Sequence, residues 1–154
     1  MSKHQSHSSP AFESVSELSP RENRDGSEPA ASRPLQGEIG FVGLGHMGAA
    51  MAANLAASGR RVVAYVRRPD QVGKLETPGL RPTTDIVDLL DCELVISMLP
   101  DDDAAREIVF GRKDLGFEGL AEGLMPGAIH LSMSTISTAA AQLLANEHAR
   151  NGQG

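Results

Sequence analysis

The chain predicts an α/β fold: a doubly wound parallel sheet of about five strands, over residues 38–154, behind a disordered tail at residues 1–37. Three observations carry this. Short β-branched apolar runs alternate with Ala- and Leu-rich stretches of helical length, an order that makes a parallel sheet with both faces covered. The texture changes at Glu38, where a Ser-, Pro-, Glu- and Arg-rich segment gives way to apolar periodicity. Three glycines, Gly43, Gly45 and Gly48, then stand between the first strand and the first helix, where an ordinary element would carry side chains.

The elements follow in order. "EIGFVG" is a buried strand bounded by glycine, and "HMGAAMAANLAAS" a helix with Gly59 at its C-terminal stop. "RVVAYV" is a second strand. "DQVGKL" predicts a weak helix opened by Pro69, and "GLRP" a very short strand, the doubtful member of the five. "TTDIVDLLD" reads as a helix with a Thr cap and Asp in its first turn. "ELVISMLP" is a strand stopped by Pro100, and "DDDAAREIVFG" a helix with carboxylates at its positive end. "GAIHLSMS" is a strand and "TISTAAAQLLANEHARNG" a helix ending at Gly152.

Composition narrows the function. The net charge of −6 argues against a nucleic-acid footprint, which shows as a basic excess. No apolar run approaches the roughly 20 residues of a membrane span, and the N-terminus lacks the apolar core of a secretory signal. The lone Cys92 forms no intramolecular disulfide and suits a reducing, cytoplasmic compartment. In the tail, isolated apolar residues bury too little surface to offset chain entropy. There His4 and His7 have no fixed third ligand for a metal.

Gly43, Gly45 and Gly48 make G-x-G-x-x-G directly after a strand and before a helix. In that setting the first glycine permits a tight turn, the second admits a pyrophosphate, and the third lets helix and strand pack closely. The anion then sits on free N–H groups at the positive end of the helix. This is the arrangement of a Rossmann-type dinucleotide site, with Gly43, Leu44, Gly45, His46, Met47 and Gly48 around the phosphates. An acidic residue at the tip of the second strand would grip a ribose 2′-OH, but "VVAYVRRPD" places Val66, Arg67 and Arg68 there. A guanidinium pairs bidentately with a 2′-phosphate, so the tip favours NADP over NAD. It counts equally against FAD and S-adenosylmethionine, whose sites want the acid. The alternative for both arginines is simple solvation at a strand end.

Taken together, "GLGHMGAAMAANL", "SMLPDDDAAREIVFG" and "GAIHLSMSTIS" resemble the N-terminal cofactor domain of the β-hydroxyacid dehydrogenases, a family that includes 3-hydroxyisobutyrate and 6-phosphogluconate dehydrogenases. "YVRRP" is similar to the corresponding segment of NADP-using members. The resemblance implies that Arg67, helped by Arg68, faces the 2′-phosphate and that Leu99 and Pro100 line the ribose and adenine side. It implies Thr135 on the nicotinamide half and Ser134 on a substrate carboxylate. A helix start with two hydroxyls suits an anion, and an ordinary helix cap is the plainer role for the same pair. Where many members carry an acid two residues before this pair, the chain has Ser132.

The family's general acid/base lysine, within G-x-x-G-x-G-x-x-x-K-x-x-x-N, is not matched by Lys3, Lys74 or Lys113, so no catalytic residue is assigned in this chain. The expectation is a truncated chain: the cofactor domain without its helical second domain. A sheet edge at Ile129–Ser132 would then invite self-association. The expected function is NADP binding in an oxidoreductase acting on a small hydroxy acid or its carbonyl partner, or alternatively a binding module without turnover of its own. Asp101, Asp102 and Asp103 read as a helix start rather than a metal site. Cys92 reads as a small buried residue, His46 as a loop residue at the phosphates, and His130 and His148 have no partner legible in the sequence.

Overall fold

A computed structural model describes residues 35–75, 77–113 and 116–154. The expected tail therefore lies outside the described residues, apart from Leu35–Gly37, and so do His4, His7 and Lys3. In chain order the elements are β1 (Ile39–Val42), α1 (His46–Ala57), β2 (Val62–Tyr65), a 3₁₀ turn (Pro69–Lys74) and β3 (Leu80–Thr83). A second 3₁₀ turn (Ile86–Leu89), β4 (Leu94–Ser97) and α2 (Asp102–Phe110) follow. A small hairpin of β5 (Gly111–Arg112) and β6 (Phe117–Glu118), α3 (Leu120–Gly123), β7 (Ile129–Ser132) and α4 (Thr138–Arg150) complete it.

The main sheet is parallel throughout, with strand order β3-β2-β1-β4-β7. This is the doubly wound fold the alternation predicts, with β1 at its centre and the doubtful "GLRP" strand present as β3. Side chains alternate across the pleat. Ile39 and Phe41 therefore enter one core with Val62, Ala64 and Ile96, beneath Ala52 and Ala56 of α1. Val42 enters the other with Val63, Val95, Ile108 and Leu120. Gly48, Ala52 and Ala56, spaced by four, are the buried stripe of α1, and their small size lets the helix lie close to the sheet.

Helix ends follow the local chemistry. Gly59 has φ +85, and its N–H donates to the Ala56 carbonyl (3.0 Å) while the Arg60 N–H reaches that of Leu55 (3.2 Å). This paired closure needs the left-handed residue that glycine supplies. Two expected helices are 3₁₀ turns, tighter than the sequence suggests. Residues 69–74 form a 3₁₀ turn with Gly73 inside it, a residue that weakens an α-helix. At Ile86–Leu89 the cap is Asp85, not a threonine, and its carboxylate accepts from the Val87 N–H at 3.0 Å. Side chains three apart eclipse in 3₁₀ geometry, so Ile86 and Leu89 both enter the core. The hairpin and α3 were not expected; two-residue strands and a single helical turn carry no readable period.

The β7 edge is where the sequence places it, but part of it is paired. The Gly154 N–H donates to the Ala128 carbonyl (3.0 Å), and the His130 N–H to that of Gly154 (2.7 Å). The outer edge of β7 is therefore not open along its whole length. Among the described residues no helix is long and apolar enough to cross a membrane.

Candidate functional site

The strand order reverses at β1, between β2 and β4, and a crevice opens there at the carboxyl ends of the strands. Val42 is level with Tyr65 on one side and Ser97 on the other, so the loops after all three converge. The three glycines divide into two kinds. Gly43 has φ +90, and a Cβ there would collide with the Met98 carbonyl. A Cβ on Gly48 would collide with the Gly43 carbonyl and sit 3.2 Å from the Phe41 ring. These two glycines serve the protein's own packing. Gly45 has ordinary extended backbone (φ −68, ψ −171) and nothing within 4 Å of an added Cβ. Neither strain nor packing asks for glycine at this position. The open space fits a group from outside, at the N-terminus of α1, which has no side-chain cap. The first-turn N–H groups there have no partner within the helix.

A cavity of about 360 Å³ continues from this loop. Gly43, Leu44, Gly45, Arg67, Arg68, Leu99 and Pro100 all line it, so seven residues from three separate motifs meet in one place. His46 and Met47 lie exposed in the first turn of α1, outside the cavity lining, and Gly48 is buried behind it. Sequence reasoning missed Tyr65, Gln71, Ala104 and Ile108 as lining residues. The last two stand four apart on α2, a spacing that marks one helix face but not which cavity it meets.

The arginines at the β2 tip are not free. Arg67 Nη2 is 2.9 Å from Glu107 Oε2 on α2, and Arg68 Nε is 3.9 Å from Asp70 Oδ1. Partial burial raises the Tyr65 hydroxyl above its ordinary pKa, with the Arg67 charge opposing and the Glu107 charge adding to the rise.

Ser134 and Thr135 are outside this cavity lining. Ser134 Oγ accepts the Leu99 N–H at 2.7 Å, which ties the loop after β7 to the loop after β4. Its own O–H proton remains able to serve a ligand. Thr135 is exposed. Neither starts a helix, contrary to expectation: the α4 cap is Ser137, whose Oγ accepts from the Ala140 N–H at 3.1 Å. Asp102 Oδ1 accepts the Ser137 N–H (2.8 Å) and Oδ2 its hydroxyl (2.6 Å). These two hydrogen bonds lower the Asp102 pKa, side chain first. In the acidic run, then, Asp101 caps α2 through the Ala104 N–H (2.8 Å), and Asp102 joins α2 to α4. Among the described residues no three His, Cys, Asp or Glu converge as a metal site.

The histidines without a legible partner are bonded to each other. His130 lies between Ser97 Oγ (2.9 Å) and His148 Nε2 (2.9 Å), and His148 Nδ1 meets Gln153 Oε1 at 2.7 Å. Burial, then the neighbouring ring, lowers the His130 pKa from 6.5 to about 4. Cys92 is buried at 3% exposure, which pushes its thiol up to about 11.

A glycine turn, an open helix N-terminus and a crevice at the strand-order reversal are the parts of a dinucleotide site. In agreement, residues 38–153 match the model of the NAD binding domain of 6-phosphogluconate dehydrogenase. The chain belongs to that family. An uncharacterised oxidoreductase of Bacillus subtilis is 37% identical over 117 residues, 75% of this chain and 39% of that protein. The 3-sulfolactaldehyde reductase of Escherichia coli is 35% identical over 99 residues, 64% of this chain and 32% of that enzyme. The solved structure of Psf3 in complex with NADP+ and 2-OPP superposes with a TM-score of 0.67 at 28% identity, over 75% of this chain and 39% of that one. The chain thus spans less than two fifths of the length of these relatives. As a 6-phosphogluconate dehydrogenase-type NAD(P)-binding domain, it has the fold that takes a nucleotide cofactor. A bound nicotinamide dinucleotide would supply hydride chemistry.

Proposed function

We propose that the chain binds NADP in preference to NAD and serves as the cofactor domain of an oxidoreductase acting on a small hydroxy acid or its carbonyl partner. The observation that carries the reading is the open space at Gly45, on the N-terminus of α1 and continuous with a cavity bearing two arginines. The Gly43–Gly48 loop cradles the pyrophosphate on backbone N–H groups. Arg67, with Arg68 beside it, takes the 2′-phosphate. Leu99 and Pro100 pack on the ribose and adenine side. Thr135 meets the nicotinamide half, and Ser134, already held by the Leu99 N–H, donates its hydroxyl to the substrate carboxylate. Psf3, solved with NADP+, supports the phosphorylated cofactor.

A second reading is a binding module without turnover by these residues alone. It is favoured by the cavity lining, which among the described residues holds no lysine, histidine or carboxylate to move a proton. A buried, unreactive thiol suits the reducing cytoplasm, and the exposed Ile129, Leu131 and Met133 suit association along β7.

Titration with NADPH and NADH tests the cofactor assignment. NADPH should bind at least about tenfold more tightly, the worth of one good charge-assisted contact. Arg67→Asp should erase or reverse that preference. Equal affinities in the wild-type protein would remove the assignment to Arg67.

A further inference from the structure

We infer that Glu107 is a specificity-determining residue, holding Arg67 in the free protein and competing for it with the 2′-phosphate of the cofactor. The inference rests on the proposed placement of that phosphate at Arg67. A strand tip with two arginines reads as strongly basic, but each has a carboxylate of its own: Glu107 at 2.9 Å from Arg67 and Asp70 at 3.9 Å from Arg68. Two positive and two negative charges leave the cavity mouth near neutral before ligand arrives.

The two pairs are not equivalent. Arg68 and Asp70 are two residues apart on one loop, beyond hydrogen-bond distance, and both are well exposed. Arg67 and Glu107 join different elements, the β2 tip and α2, at contact distance. Glu107 lies one turn from Ala104 and next to Ile108, which line the cavity, so its charge stays near any phosphate that Arg67 holds. A side chain 60% exposed in an ion pair with one 34% exposed is held weakly, as solvent-screened pairs are. A phosphate presents up to two charges and three acceptor oxygens, and therefore displaces the carboxylate. The displaced Glu107 then faces the phosphate as a like charge. Both effects fall on the phosphorylated cofactor and spare the unphosphorylated one.

The test is calorimetric titration of NADPH and NADH against wild type, Glu107→Gln, Arg67→Gln and the double variant at low salt. Glu107→Gln keeps the shape of a half-buried helix residue and removes its charge. NADPH affinity should rise roughly two- to fivefold, the range of an exposed ion pair, with NADH unchanged. The gain should shrink in the Arg67→Gln background and at about 1 M salt, where screening acts within about 3 Å. Asp70→Asn should gain less than Glu107→Gln. Weaker NADPH binding in Glu107→Gln would mean that the carboxylate positions Arg67 rather than competing for it, which overturns the inference. Equal shifts for both dinucleotides, or no shift, overturn it as well. If Arg67→Gln leaves the NADPH preference intact, the phosphate placement itself fails and takes the inference with it. The Arg67→Gln arm distinguishes the two failures.

Discussion

His130 Nδ1 lies 2.9 Å from His148 Nε2, the central link of a buried chain from Ser97 on β4 to Gln153 beyond α4. Gln153 anchors the far end, since its Nε2 donates to the carbonyls of Ala121 (3.2 Å) and Leu124 (2.6 Å). Its Oε1 can then only accept, so His148 carries its proton on Nδ1. With both rings neutral, His130 Nδ1–H donates to His148 Nε2, and the Ser97 hydroxyl donates to His130 Nε2. Every partner is used once, and four elements are joined through one line of protons.

That line predicts acid sensitivity. His130 has a folded-state pKa of about 4 against 6.5 unfolded, so between these values the unfolded chain binds more protons. Its contribution to stability is full above pH 6.5 and is lost as pH falls through about 4, an effect of about 3 kcal/mol at roughly 1.4 kcal/mol per unit. Urea midpoints measured from pH 7.5 to 4.5 should show this slope, and His130→Gln should flatten it whatever its own stability. An unchanged slope would contradict the assignment.

The glycines should separate by function. Gly48→Ala and Gly43→Ala should each destabilise the fold by about 2 kcal/mol or more, because their Cβ atoms meet backbone oxygens. Gly45→Ala should cost at most about 1 kcal/mol, the difference between glycine and alanine at an N-cap. It should nonetheless lower dinucleotide affinity by about tenfold or more, since the methyl group occupies space kept for the ligand. Thermal melts and titration on the same three variants decide this.

Ser137→Ala should destabilise by about 1 kcal/mol through loss of the α4 cap. It should also return the Asp102 carboxyl toward its ordinary titration range, because the hydroxyl is the first cause of its lowered pKa. Carboxyl chemical shifts followed against pH read the second effect independently of the first.

Cys92 should resist thiol reagents at pH 8. Its thiol is buried and held near 11, so the reactive thiolate is scarce until the chain opens. Modification should accelerate in urea in step with unfolding. Rapid reaction of the native protein would disprove the packing described for it.

Much of the fold was legible because its signals are local. "EIGFVG" and "ELVISMLP" announce buried strands by composition, and the Gly-x-Gly-x-x-Gly spacing announces the turn between strand and helix. The two 3₁₀ turns were misread because their length depends on what they cover. Ile86 and Leu89 fall into the core only when the chain tightens. The cap is Asp85, where the sequence reads as a threonine cap with the aspartate in the first turn. The hairpin and α3 gave no periodic signal at all.

The sequence by itself determined the order of elements, the glycine turn and the two arginines at the second strand's tip, because each is a property of neighbours along the chain. Only the tertiary structure decided which glycine faces open space, that Arg67 has Glu107 for a partner, and that His130 and His148 are bonded. Residues 40 and 18 positions apart meet when α2 and α4 pack against the sheet, and no local spacing records that meeting. A side chain's chemistry is written in its own residue, but the charge and hydrogen bonds that tune it arrive from other elements.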